Sequence, residues 1–476
     1  MKVLLINPPI KNIIDSEIPS FVKQNEGFFP PLGLMYLASY LKKYTDCEVR
    51  ILDAVADEMD YDAIERYVRD FHPAVVGITG HTHNLVDVIL LSDTVKKVDS
   101  NIYICLGGPH VNDFPHEGLD IRSVDCVIFG EGEEAFSELI KCIEEKGEPE
   151  KIKGILFRRN GRLIRTEERN NIEDINQFPF PDRALINTKK YSSILGKRSV
   201  MTTMVTSRGC PYQCSFCSTP RGFYRMRSPE NIVDEMEGCM KFGIKEIHFV
   251  DDTFNISPER VINLCNEIGK RRLNVKWSFR GRIDTITEPL LIIAKGAGCY
   301  RIHLGVETST DEGLAGLRKN ITVSQIRQVF RWTRNIGINT VAYFMIGCPH
   351  ERNRRDVMRT VNFAKEIDPD FALFNILMPY PATELYEEGL RRGVLKKDFW
   401  RDFVLNPSPD FEIQFWQEWF SKKELCYLLK FAYRKFYLRP KFIFRNLNTL
   451  RNPRLLVKKL KTGLEMSILS CGKERI

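Results

Sequence analysis

The stretch Ser207–Gly222, SRGCPYQCSFCSTPRG, places Cys210, Cys214 and Cys217 within eight residues, at C-x3-C-x2-C spacing. Disulfide partners are rarely packed so tightly, and zinc usually takes two cysteine pairs or four ligands. A cubane iron–sulfur cluster normally takes four thiolates, one for each iron. Three protein thiolates leave one iron open to an outside ligand, which can chelate through an amine and a carboxylate. Gly209 and Pro211 shape the backbone turn that such a loop needs. Zinc held by three thiolates and a distant ligand is the alternative.

Working outward, strand and helix patterns alternate on both sides of this loop. Downstream and just before it, Thr202–Thr206, Glu246–Val250, Trp277–Arg280, Arg301–Val306, Asn339–Met345 and Phe371–Ile376 read as strands. Pro229–Phe242, Pro258–Arg271, Glu288–Lys295, Val323–Ile336 and Arg354–Ile367 read as the helices between them. Six such repeats predict an open, partial (β/α) barrel, whose active site sits on the loops after the strands. The cysteines follow the first of these strands. Upstream, Val3–Asn7, Glu48–Asp53, Val75–Thr79, Ile102–Leu106 and Cys126–Phe129 are short apolar runs. The helical segments Gly33–Lys43, Leu85–Lys97 and Glu133–Glu145 separate them, which predicts a doubly wound parallel sheet. Ligands of such sheets bind at the carboxyl ends of the strands. Those ends carry NPP (Asn7–Pro9), TGHTH (Thr79–His83), GGPH (Gly107–His110) and GEGE (Gly130–Glu133). Glycines there let backbone approach a flat cofactor or a nucleotide tail. Asn160-Gly161 between two alternating runs predicts a hairpin, and the proline-rich Ile175–Leu185 a crossing segment. The expected organisation is a sheet domain over 1–150, a hairpin and linker over 151–194, a barrel over 195–390 and a basic helical region over 391–476.

With 43% hydrophobic and 28% charged residues, the chain has the composition of a soluble globular protein. No run of about 18 apolar residues predicts a membrane-spanning helix. Met1–Ile10, MKVLLINPPI, reads as a first strand and not as a signal peptide. Thirteen scattered cysteines fit a reducing, cytoplasmic setting, with Cys105, Cys126 and Cys265 read as buried small hydrophobes. Charge is uneven. From Ser421 to Ile476 fifteen Lys/Arg stand against Glu424, Glu465 and Glu474, although the whole chain is only +8. Basic charge interleaved with aromatics suits an anionic membrane surface or a large apolar substrate kept near one. Nucleic acid also fits the charge but is not expected here, and a helical cap with a solvated basic face is the plainer alternative.

Taken together, these residues resemble the radical S-adenosylmethionine (SAM) superfamily, whose signature is C-x3-C-x2-C with an aromatic before the last cysteine, here Phe216. The resemblance implies a [4Fe-4S] cluster on Cys210, Cys214 and Cys217, and reductive cleavage of SAM to a radical that abstracts hydrogen from an unactivated carbon. It implies further that Asp251 and Asp252 of FVDDTF meet the methionine ammonium and that Arg280 and Arg282 of SFRGRID meet its carboxylate. Glu307 of LGVETS would hold the ribose, and Gly347 of FMIGCPHE would turn near the adenine. MPYPATELYEE (Met378–Glu388) resembles the segment that closes the barrel in one large branch. The N-terminal region resembles the cobalamin-binding domain of one branch, through LLINPP, FPPLGLMYLASYLKK, GGPH and GEGE. Pro8, Pro9, Leu32, Gly33, Thr79, Gly80, His81, Gly107, Gly108, Pro109, Gly130 and Glu131 are the cobalamin candidates. The Asp-x-His-x-x-Gly sequence that supplies a lower cobalt ligand is missing. His81 and His83 are substitutes on the third-strand loop; otherwise apolar side chains or water cover that face.

Three functions fit. The first is methylation of an unreactive carbon, one SAM methylating the cobalamin and another yielding the radical. The second is cobalamin-assisted oxidative cyclisation or rearrangement of a tetrapyrrole-like or lipid substrate. The anaerobic magnesium-protoporphyrin monomethyl ester cyclase group shares the domain order and the PFPDR crossing segment (Pro179–Arg183). The third is a non-catalytic cobalamin or redox sensor. An enzyme of this kind takes a small-molecule substrate, here a large apolar one, and electrons from a flavodoxin- or ferredoxin-type donor. Tyr343 and Cys348, near the fifth barrel strand's end, are the candidates for meeting substrate.

Overall fold

A computed structural model describes residues 1–14, 29–192, 200–219 and 224–447. The first sheet has seven strands: β1 (Lys2–Asn7), β2 (Glu48–Asp53), β3 (Val75–Thr79), β4 (Tyr103–Gly107), β5 (Cys126–Ile128), β6 (Ile155–Arg159) and β7 (Arg162–Arg165), in the order β2-β1-β3-β4-β5-β6-β7. Pairing is parallel from β2 to β5. The chain leaves β1 for one side and returns at β3 on the other, which makes a topological switch point between those two strands. Helices Leu32–Tyr44 and Gly132–Glu145 cover one face, and helices Tyr61–Phe71 and Leu85–Val98 the other, so two apolar layers enclose the sheet.

The hairpin assigned above to the 151–194 linker is instead the edge of this sheet. Strand β6 pairs antiparallel with both β5 and β7. Asn160 and Gly161 both have positive φ, 52° and 74°, the type I′ geometry that matches the twist of the flanking strands.

Barrel strands β8 (Met201–Met204), β11 (Glu246–Phe249), β12 (Lys276–Gly281), β13 (Cys299–Glu307), β14 (Asn339–Ile346) and β15 (Phe371–Ile376) form one six-stranded parallel sheet, with β8 and β15 at its open edges. A short antiparallel pair, β9 (Ser207–Arg208) and β10 (Arg225–Met226), flanks the cysteine loop. Ser228, Ser257 and Thr287 each cap a helix that begins with proline in its first turn, and Thr322 with Gln325 makes a capping box. Strand β8 ends before the expected Thr206. The backbone N–H groups of Thr206 and Ser207 turn away to the Asp251 carboxylate.

The expected C-terminal helices include Phe399–Leu405, Lys422–Tyr437 and Pro440–Leu447. The first packs with Leu85, Val86 and Phe114 of the sheet domain, so the segment after the barrel joins both halves. The second lies on β15. Residues 448–476, with seven of the fifteen Lys/Arg counted above, fall outside the described residues.

Candidate active site

The three cysteines line one cavity of about 190 Å³ at the carboxyl end of the barrel. Gly209, at φ 88°, opens the loop. The Cys217 N–H donates to the Cys214 carbonyl, Ser215 N–H donates to the Leu317 carbonyl, and Leu385 N–H donates to the Ser215 carbonyl. The loop is thus held from β13's side and from the closing segment at once. None of the three thiols is in a disulfide. Among the described residues, no three His, Cys, Asp or Glu side chains converge as they would on a single ion. A cubane takes its thiolates at separate irons, and three thiols on one cavity wall fit that donor set.

Cationic groups surround the thiols. Arg282 lies with its guanidinium 3.6 Å from the Tyr212 ring centre and 3.9 Å from Cys214 Sγ. Lys319, brought in by the loop after helix Asp311–Gly316, donates to Glu307 at 2.8 Å and reaches the same cavity. Burial pushes the Cys214 thiol up, while Lys319 and Arg282 pull it down. Such cations offset the charge that three thiolates bring.

The sequence candidates separate here. Phe216, Asp252, Arg280, Arg282 and Tyr343 line the cavity with the cysteines. Asp251 does not. Its carboxylate accepts from Thr206 N (2.7 Å), Thr206 Oγ1 (3.0 Å), Ser207 Oγ (2.8 Å) and Ser207 N, which leaves it a brace for the cysteine loop. Arg282 is already bound by Asp284, 2.9 Å from Nε, and by the Lys319 carbonyl at 2.6 Å. Glu307, at φ 67°, is paired with Lys319 and buried. Gly347, at φ 79°, donates its N–H to Glu351 and packs on Leu425, where an added Cβ would stand 2.6 Å from Leu425 Cδ2. Cys348 is buried in an apolar cluster with Leu377, Leu385 and Trp416, behind Phe216. Burial pushes the Glu351 carboxyl up to about 7, despite donors from Gly347, Cys348 and Thr360.

Several residues on this wall were not singled out from the sequence. Thr253 Oγ1 lies 3.1 Å from Cys210 Sγ. His303 Nδ1 lies 2.9 Å from the Tyr343 hydroxyl, and the His303 ring sits 4.7 Å from that of His248, whose Nδ1 is 2.9 Å from Ser278 Oγ. Burial, aided by Arg280 and Arg301, pushes His248 down to about 3, and burial, aided by His248 and the same arginines, pushes His303 well below its usual value, which favours the neutral imidazole at both. A barrel layer normally filled by branched aliphatics is here a hydrogen-bonding floor. Period-two alternation in Cys299–Glu307 was its trace: Arg301, His303 and Gly305 alternate with Ile302, Leu304 and Val306.

At the first sheet, the strand ends form one open edge. Gly108, at φ 98°, packs so closely that an added Cβ would lie 2.8 Å from the Gly80 carbonyl, and Gly80 N–H donates to the Gly107 carbonyl. At Gly33 and Gly130 an added Cβ would meet open space, and both are exposed, as is Pro109. Pro8 and Pro9 are buried beneath the edge, with Leu32 and Thr79 half-buried along it. This smooth cradle at the switch point fits a flat, bulky cofactor. His81 and His83 lie exposed on the edge with their rings 5.0 Å apart. Buried His110 beside them bonds Thr82 through Nδ1. Glu131, one of the cobalamin candidates, binds Arg208 at 2.8 Å and Arg225 at 2.7 Å, across to the barrel. Arg208 also binds Glu133 and stacks on Phe178 at 4.3 Å. The loops after β5 and β8 are therefore tied together, two residues before Cys210.

Comparison with known proteins agrees with both halves. Residues 21–140 match a B12 binding domain, and residues 204–364 match the radical SAM superfamily. An uncharacterized methyltransferase of Pyrococcus horikoshii is 31% identical over 452 residues, 94% of this chain and 95% of that one. The anaerobic magnesium-protoporphyrin IX monomethyl ester cyclase of Rubrivivax gelatinosus is 28% identical over 373 residues, 76% of this chain and 66% of that one. The radical SAM methyltransferase TsrM from Kitasatospora setae, with cobalamin and [4Fe-4S] cluster bound, shares the fold with a TM-score of 0.67 at 20% identity, over 83% of this chain and 75% of that one. The chain is an enzyme that belongs to the radical SAM superfamily, in the branch of methyltransferases and cyclases that carry a cobalamin-binding domain, with a [4Fe-4S] cluster, SAM and cobalamin as its cofactors.

Proposed function

We propose that the chain transfers a methyl group to an unactivated carbon of a small-molecule substrate seated above the His303–Tyr343 floor. The observation that carries this reading is the tie between Glu131 and the two arginines, Arg208 and Arg225. It holds the cobalamin edge and the cysteine loop at a fixed separation, the geometry that handing a group between two cofactors requires. When bound, the cluster, SAM and cobalamin supply the radical and the methyl group. The protein binds, orients and shields.

In this reading Cys210, Cys214 and Cys217 hold three irons. Asp252, facing the cavity, accepts from the methionine ammonium, and Arg280 pairs with its carboxylate. Lys319 holds Glu307 through Oε1, which orients the carboxylate so that its second oxygen can accept from the ribose hydroxyls. Pro8, Pro9, Leu32, Gly33, Thr79, Gly80, His81, Gly107, Gly108, Pro109 and Gly130 form the cobalamin cradle. His303 and Tyr343, paired with each other, offer a donor and an acceptor to an oxygen function of the substrate, which fixes the carbon that faces the radical. Electrons come from a flavodoxin- or ferredoxin-type donor.

The test uses anaerobic protein with its cluster reconstituted and cobalamin bound, given SAM and a strong reductant. Wild type is expected to release both 5′-deoxyadenosine and S-adenosylhomocysteine, and C214A neither. Deoxyadenosine without S-adenosylhomocysteine would replace methyl transfer by cyclisation or rearrangement.

A further inference from the structure

The C-terminal helices carry a surface that neither cofactor site explains. Helix Pro440–Leu447 is fastened by charge. Arg439, Lys441 and Arg445 all reach the carboxylate of Asp368, which is itself buried, and Arg334 approaches it from the barrel side. Phe442 turns inward, 5.0 Å from Tyr437 and 6.0 Å from Phe436. Fixing those positions turns Pro440, Ile443 and Phe444 outward together, because residues three and four apart share a helix face. Phe444 is 69% exposed, Ile443 46% and the neighbouring Leu438 37%.

Single exposed apolar residues are ordinary on a protein surface. Here, however, they are adjacent, bulky and edged by exposed Lys435, Lys441 and Arg445. One buried carboxylate shared among several cations leaves the surface strongly positive. Beyond Leu447 the sequence adds Arg451, Arg454, Lys458, Lys459, Lys461, Lys473 and Arg475 against Glu465 and Glu474. An apolar stripe with a basic border is complementary to an anionic lipid surface: the rings enter the interfacial layer and the cations meet phosphates.

We infer that helix Pro440–Leu447 is a membrane foot, in which Ile443 and Phe444 insert into the interface of an anionic bilayer while the exposed Lys435 and Lys441 beside them bind its headgroups. The foot is separate from the methyl-transfer reading and stands or falls without it. It would place the enzyme beside a bilayer without any spanning helix, and no described helix is long and apolar enough to span.

The test is co-sedimentation of the full chain with vesicles of phosphatidylglycerol and phosphatidylcholine, and with phosphatidylcholine alone. Wild type is expected to pellet with the anionic vesicles, less so as salt rises, and to stay in solution with the neutral ones. I443D/F444D is expected to weaken the anionic partition by more than about tenfold. I443S/F444S should act in the same direction, and both variants should release 5′-deoxyadenosine from SAM at the wild-type rate, which shows that the barrel is intact. Unchanged partition of the double variants would overturn the foot, as would equal binding to neutral vesicles. So would retention on a DNA duplex without any vesicle binding, or self-association of wild type that the double variants abolish.

Discussion

Asp251 and Asp252 are neighbours of one residue type, yet they have different tasks. Alternation along the turn sends Asp252 into the cavity and Asp251 beneath the cysteine loop, where it accepts from two backbone N–H groups and two hydroxyls. Removing a buried acceptor costs the full desolvation of the donors it served, about 1–3 kcal/mol each. D251A should therefore lower thermal stability by several kcal/mol, on the order of two such orphaned donors. It should also fail to retain iron after reconstitution, whereas D252N keeps its cluster and weakens SAM binding. Iron content per chain and SAM affinity separate the two outcomes. An iron-replete D251A that no longer binds SAM would return Asp251 to the ligand set.

At the scale of elements, the unclosed barrel has an edge to protect, since β15 presents a row of free backbone groups. Helix Lys422–Tyr437 covers it by hydroxyls. Tyr433 donates to the Phe374 carbonyl at 3.1 Å and accepts from Phe374 N–H at 3.2 Å. Tyr437 does the same at Ala372, 2.9 Å and 3.1 Å. The match is one of rise. Four helical residues advance about 6 Å, and two strand residues about 6.6 Å, so tyrosines at i and i+4 meet alternate strand residues. Y433F/Y437F strands two carbonyls and two amides, with an expected loss of about 4 kcal/mol or more in denaturant unfolding at unchanged fold. An unaltered midpoint would mean that water already serves that edge. Along its Tyr433–Tyr437 side this helix is a cap on the barrel edge, as one of the two alternatives for the basic, aromatic-rich sequence expected.

For the whole molecule, the main question is how two cofactor domains keep a common geometry. Glu131 lies 77 residues from Arg208 and 94 from Arg225 in sequence, and the three charges form one half-buried knot between the domains. If Glu131 is a strap, E131Q should leave cobalamin uptake and SAM cleavage near wild type while methyl transferred per deoxyadenosine falls several-fold. Product ratios and the bound-cobalamin spectrum measure both. Loss of cobalamin from E131Q would instead make it a cofactor ligand. The same long-range wiring limits what could be read beforehand: the sequence LGVETS does not show that Lys319 holds Glu307, nor FMIGCPHE that Leu425 of the last helices packs against Gly347.

Sequence alone determined the two-sheet architecture, the Asn160-Gly161 hairpin and the gathering of three cysteines on one loop. Each of these is a local code: side-chain period two or 3.6, turn chemistry at adjacent residues, ligand spacing within one loop. Tertiary structure alone decided which carboxylates and guanidiniums remain available. A charged group in a cavity is free or spent according to partners far along the chain. Asp251 lies 45 residues from Thr206, Arg282 lies 68 from Cys214, and His303 lies 40 from Tyr343. No local pattern carries that pairing, because burial makes every polar group take a partner wherever the fold supplies one.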